Sequence, residues 1–123
     1  MDSIDVFVKN CEMQAVLTEV LAILNQNPAT LRKNDYGGSF SFYACDIEFC
    51  IIPDSGLEDN LGIKFSEYPI AIGLIKLRRG EDCLSYNDLV LVLGKYLAEK
   101  LAKKFNCQTM LTINLVKIID EYH

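Results

Sequence analysis

The chain has 123 residues, half of them hydrophobic, and a formal net charge of −5 at pH 7. That length fits one domain, 1–123, which buries roughly two-thirds of its unfolded surface on folding and needs neither disulfides nor a structural metal to do so. Five cysteines, an odd number without a C-x-x-C pair, argue against a secreted disulfide framework, and the absence of any ~18–20-residue apolar run argues against a membrane span.

The first expected element is a helix. Met13, Val16, Leu17, Val20, Leu21 and Leu24 form one apolar stripe of a 3.6-residue repeat. Either Ser3 or Asn10 would cap its start, and Asn27 before Pro28 would end it, because a residue preceding proline is pushed out of the helical region. Gly37-Gly38 then punctuates the chain. Phe40, Phe42 and Ala44 alternate with Ser39, Ser41 and Tyr43, and Ile47, Phe49 and Ile51 alternate with Asp46 and Glu48. The apolar set changes phase near Cys45-Asp46, which requires a bulge or a tight turn there. Pro53-Asp54-Ser55-Gly56 closes this hairpin region as a further turn.

Residues 68–77 are apolar on both faces, as in a central strand. Ser85-Tyr86-Asn87-Asp88 matches the capping-box pattern. Leu89, Val90, Leu93, Tyr96, Leu97 and Leu101 follow at helical spacing, Lys100, Lys103 and Lys104 suit the negative end of the dipole, and Asn106 is a natural stop. Cys107 to Ile113 reads as a strand. Residues 114–122 fit either a strand extension or a C-terminal helix. The expected class is α+β: a leading helix, a β-hairpin and a β-α-β unit, forming a mixed sheet packed by two main helices.

Catalytic chemistry finds little support. The single histidine, His123, is the last residue, and a frayed terminus seldom holds an imidazole against a nucleophile. Cys45-x4-Cys50 is a poor zinc pattern, and neither a Walker-type loop nor a dinucleotide fingerprint is present. A metal-dependent nuclease pattern opening at Pro53-Asp54 would need an acid two residues before a later lysine. Lys64, Lys76 and Lys95 have Gly62, Leu74 and Leu93 there instead. Phe40, Phe42, Tyr43 and Phe49 resemble a base-stacking platform, yet their neighbours are acidic, so core packing is the better account. The expectation is a protein that is not an enzyme and uses no cofactor or metal.

Charge distribution carries the functional reading. Residues 46–67 hold six acids and one base, which equals the net charge of the whole chain. Such a concentration argues against nucleic acid, which needs a basic footprint, and favours a basic protein partner. The candidate partner-binding residues are Asp54, Glu58, Asp59 and Glu67, with Glu81 and Asp82. The acidic start Met1-Asp2-Ser3-Ile4-Asp5 lacks the positive charge of a signal peptide, so a cytoplasmic location is expected.

The layout resembles the small acidic immunity proteins of bacterial contact-dependent and polymorphic toxin systems. The resemblance lies in size, acidity, the leading helix, the hairpin, and the run Tyr68-Pro69-Ile70-Ala71-Ile72, Leu97-Ala98-Glu99-Lys100-Leu101-Ala102 and Thr109-Met110-Leu111. It implies binding to one cognate toxin domain, often a basic nuclease, with the toxin's working surface masked. The alternative is a type III-like secretion chaperone that binds an effector segment as a dimer. Against that alternative, a β-α-β crossover does not match the usual helix-covered antiparallel sheet. Solution size separates the two, since the chaperone would be a firm dimer.

Overall fold

A computed structural model of the chain describes residues 3–35, 38–76 and 83–123, with backbone alone at 76 and 83–88. The chain opens on a strand, β1 (Ile4–Val8), before the first helix, α1 (Met13–Ile23). Ile4, Val6 and Val8 alternate with Asp5 and Phe7, a period-two pattern of β-branched residues. Neither expected cap is used: Ser3 precedes β1, Asn10 turns out of it with φ 58°, and α1 starts after Glu12 without a side-chain cap. The helix buries Val16, Leu17, Val20 and Leu21, the expected stripe. It ends at Ile23 with Leu24 as its C-cap, ahead of Asn27-Pro28. Asn25 takes the left-handed conformation with φ 53°, and the N–H groups of Asn25 and Gln26 donate to the carbonyls of Ala22 and Leu21. Asparagine tolerates that backbone, and the paired bonds satisfy two orphan carbonyls.

The strands β2 (Arg32–Lys33), β3 (Phe40–Ala44) and β4 (Ile47–Ile52) follow. The phase change falls between Ala44 and Ile47, which pair directly across a tight turn. Cys45 and Asp46 both have positive φ, 55° and 59°, the backbone of a two-residue hairpin turn whose twist matches the strands. Then come β5 (Ile70–Lys76), α2 (Cys83–Phe105), β6 (Thr109–Ile113) and β7 (Lys117–Tyr122). Since α2 begins at Cys83, Ser85 lies inside its first turn rather than at its N-cap. Residues 117–122 form the strand extension, reached through Asn114 and Leu115 with φ 54° and 57°.

The fold is α+β, with two helices and a seven-stranded sheet ordered β2-β3-β4-β5-β1-β6-β7. The β5-α2-β6 crossover is present, and its two strands run in the same direction. They are separated by β1, which pairs antiparallel with both, so every adjacent pair in the sheet is antiparallel. The sequence pattern predicts a mixed sheet, and β1 overturns that by inserting between the two parallel strands.

Both helices cover one face of this sheet. Val6, Val8, Phe42, Ile47, Phe49, Ile51, Ile72 and Leu111 meet Val16, Val20, Leu97 and Leu101 in the main core. Phe42 and Phe49 stack at 5.1 Å and are wholly buried, so they are core and no base can reach them. Gly94 lets α2 sit close: a Cβ there would lie 2.9 Å from Leu111 Cδ1 and 3.1 Å from Ile4 Cγ2. The opposite face carries a second, smaller cluster of Phe7, Ala71 and Met110 beneath Ile63, Phe65 and Tyr68. That cover comes from the long connection between β4 and β5, and it protects only part of the face.

Candidate functional site

The connection 53–69 is a compact loop whose ends meet, because the Ser55 N–H donates to the Pro69 carbonyl at 2.8 Å. Asp54 Oδ1 accepts the Gly56 N–H at 3.0 Å, and Asn60 and Ile63 exchange backbone bonds across the left-handed pair Leu61 and Gly62. Asp59 Oδ1 accepts the Ser66 N–H at 2.9 Å. Ile63, Phe65 and Tyr68 point into the sheet and are buried, so the polar residues between them face outward. An apolar anchor and an acidic outer surface come from the same short segment.

Asp54, Glu58, Asp59 and Glu67 all lie on this loop and are exposed, on the side of the sheet away from the helices. They are not equivalent. Lys9 Nζ donates to Glu67 at 2.8 Å while lying 5.6 Å from the centre of the Tyr68 ring, and Lys64 approaches Glu67 at 4.0 Å. The Lys9 bond holds the Glu67 carboxyl below its ordinary value, and the Ser66 N–H does the same for Asp59. Glu67 is thus partly neutralised. Asp54, Glu58 and Asp59 carry the loop's outward charge. Glu81 and Asp82 lie outside the described residues.

Three further acids share this face and are not among the expected site residues: Asp5, Glu48 and, opposite Met110, Glu121. The sheet register places Ser41, Cys50, Gly73, Asp5, Thr112 and Ile118 in one cross-strand row, with Tyr43, Glu48 and Ile75 in the next. Asp5 and Glu48 occupy the part that the loop leaves uncovered. The signal was present in Ile4-Asp5-Val6, where an acid alternates with two β-branched residues, and recognising β1 would have found it. On the helical side, by contrast, Lys95 faces Asp120 at 3.7 Å, Lys103 bonds Glu99 at 3.1 Å and Lys104 faces Glu19 at 3.9 Å. The chain has an acidic face and a face where bases are answered.

Burial raises the Asp5 carboxyl above its ordinary value, and the Ser3 hydroxyl, 3.2 Å from Oδ2, offsets only part of that. An unfolded Asp5 therefore loses its proton at lower pH than the folded one. Between those points the folded state binds more protons, so this residue's contribution to stability falls as pH rises. Above the folded value the desolvated carboxylate is a standing cost. Asp5→Asn is expected to raise the thermal midpoint at neutral pH, with the gain vanishing at pH below the ordinary carboxylate value. Melts of both proteins across that range test it, and a variant less stable at neutral pH would contradict it.

Cys107 and Cys50 are placed for packing, while Cys45 is exposed at the β3-β4 turn. Cys107 is buried and its thiol is pushed up to about 12, by burial first and then by its hydrogen bond with Cys11. Burial also raises Cys50, with the Glu48 charge adding to it. Both stay protonated near neutral pH and are poor nucleophiles. A recess of about 430 Å³ is lined by Lys9, Asn10, Asn106, Cys107, Gln108 and His123. In it His123 Nδ1 lies 3.1 Å from Gln108 Nε2, and Lys9 is engaged by Glu67. Among the described residues no three His, Cys, Asp or Glu side chains gather as a metal site, and no helix is long and apolar enough to cross a membrane. The chain matches no family model, no curated protein and no solved structure.

Proposed function

We propose that the chain is a non-catalytic binding protein of the cytoplasm, an immunity protein that neutralises a cognate toxin domain through its acidic face. The observation that carries this reading is the placement of Asp54, Glu58 and Asp59 on one anchored loop, on the side of the sheet opposite the helices. Charges gathered on one face raise the encounter rate with a basic surface and fix its orientation. Had the same acids been spread around the molecule, they would serve solubility alone. The partner in this reading is a basic protein domain, with no nucleic acid or membrane involved.

Charge reversal at Asp54, Glu58 and Asp59 is expected to leave folding intact, since exposed substitutions usually cost within about ±0.5 kcal/mol. The wild-type chain is used to capture its partner from the native host, and the partner is identified by mass spectrometry. Association kinetics with the purified partner then compare the two proteins at low and high salt. The triple variant is expected to associate more slowly at low salt and to lose most of the salt dependence. Unchanged kinetics would place the binding surface elsewhere.

The secretion-chaperone reading gains from one observation: the helices cover one face of a wholly antiparallel sheet. A firm dimer in solution, captured with a secreted effector segment, would favour it over immunity.

A further inference from the structure

We propose that the uncovered part of the acidic face receives a basic side chain of the protein partner, its guanidinium or ammonium group seated on Asp5 between Gly73 and Thr112. This rests on the acidic-face reading and adds to it a defined position on the sheet and a defined group. Asp5 is half-buried, and among the described residues no Lys or Arg pairs with it. Among the described residues, the side chain that hydrogen-bonds it is Ser3, through its hydroxyl. The carboxylate leans over Gly73, where an added Cβ would lie 3.3 Å from Oδ1. Glycine at that position leaves the carboxylate room to lie across the sheet.

On the other flank, Thr112 is the direct cross-strand partner of Asp5 and so shares its face. It is fully buried, and its Oγ1 has no hydrogen-bond partner. Buried hydroxyls are normally satisfied, and an orphan beside a desolvated carboxylate is a polar floor awaiting its complement. The ionised carboxylates of Asp5 and Glu48 accept hydrogen bonds and donate none, so the complement is a cationic donor.

The rim selects a side chain over a free ion. Tyr43 is 47% exposed and Ile75 48% exposed, and the half-buried Glu48 stands between them in the same row. Ile75, on the strand beside Asp5, offers an exposed apolar surface to the aliphatic stem of arginine or lysine, while Glu48 and Tyr43 lie two and three strands further along the same face. Arg32 lies over the Tyr43 ring at 4.7 Å and 3.9 Å from Glu48, which occupies the far edge and leaves Asp5 as the open acceptor. A divalent metal is a poor fit, because it needs more oxygen ligands than this row supplies.

The test uses the full chain, labelled with nitrogen-15, and two blocked tripeptides: acetyl-Ala-Arg-Ala-amide and its citrulline analogue, which keeps the shape without the charge. The arginine peptide is expected to shift the amides of Asp5, Gly73 and Thr112 at neutral pH, and the citrulline peptide is not. Asp5→Asn is expected to weaken binding roughly ten- to hundredfold, as loss of a hydrogen bond to a charged group does. Thr112→Val, close in shape and lacking the hydroxyl, is expected to weaken it less while remaining folded. Shifts confined to residues 54–67 would overturn this seat and leave the acidic loop as the docking surface. Equal shifts from both peptides would overturn it by removing the role of charge. No shifts from either would overturn the Asp5 seat alone, since the acidic-face reading stands or falls on the association kinetics of the Asp54, Glu58 and Asp59 variant.

Discussion

Truncating Leu97 to alanine is expected to cost about 2–5 kcal/mol, towards the upper end, and Leu93→Ala distinctly less. Leu97 is wholly buried where α2 lies on the sheet, whereas Leu93 is half-buried at the margin of the same core. The cost of a cavity depends on whether its walls can close, and here they cannot. One turn before Leu97, Gly94 already brings the helix backbone as near to Leu111 and Ile4 as side-chain contact permits. The helix has no further approach left to take up the lost volume. Denaturant unfolding of both variants checks this: the midpoint should fall strongly for Leu97→Ala with an unchanged slope. Equal losses at the two positions would mean that α2 is rotated relative to this packing.

How much of this was legible follows from which signals are local. The α2 helix and its stop at Asn106, and the burial of Val16, Leu17, Val20 and Leu21, are readable because helical periodicity is a short-range property of the sequence, although of the α2 stripe Val90, Leu97 and Leu101 are buried while Leu89 and Tyr96 stay exposed. The turn at Cys45-Asp46 was readable as a phase change, although bulge and turn are indistinguishable until the partner strand is known. What escaped was β1. Five residues beside two plausible helix caps read as a prelude to α1, and a strand that pairs with residues 70–74 and 109–113 announces those partners nowhere nearby. The same error hid Asp5, since a residue cannot be placed on a face before its strand is recognised. The Ser85 capping box failed for another reason. The pattern is short, and α2 begins two residues earlier, at Cys83. Asp54, Glu58, Asp59 and Glu67 were found from charge density alone. Their gathering on one loop depended on Ile63, Phe65 and Tyr68, whose anchoring role no periodicity marks.

That anchoring gives the second large effect. Phe65→Ala is expected to cost about 3–5 kcal/mol and to release the acidic loop before the sheet. Phe65 is 3% exposed and packs against Phe7 with ring centres 5.2 Å apart, at the centre of the smaller cluster. This cluster is separated from the helical core by the sheet itself, so its loss leaves Leu97, Phe49 and their neighbours in place. Local opening then becomes cheaper than global unfolding. In hydrogen exchange, the Ile63 and Ser66 amides, which bond Asn60 and Asp59 in the native loop, should lose protection far more than those of β1 and β5. Binding should weaken as well, in a manner distinct from charge reversal. The carboxylates remain and still steer the partner, so the salt dependence of association persists. Ordering a loosened loop must now be met on binding, which lowers affinity through faster dissociation. Uniform loss of protection across the sheet would show that loop and sheet unfold as one unit, and that the acids are held by the whole fold rather than by this anchor.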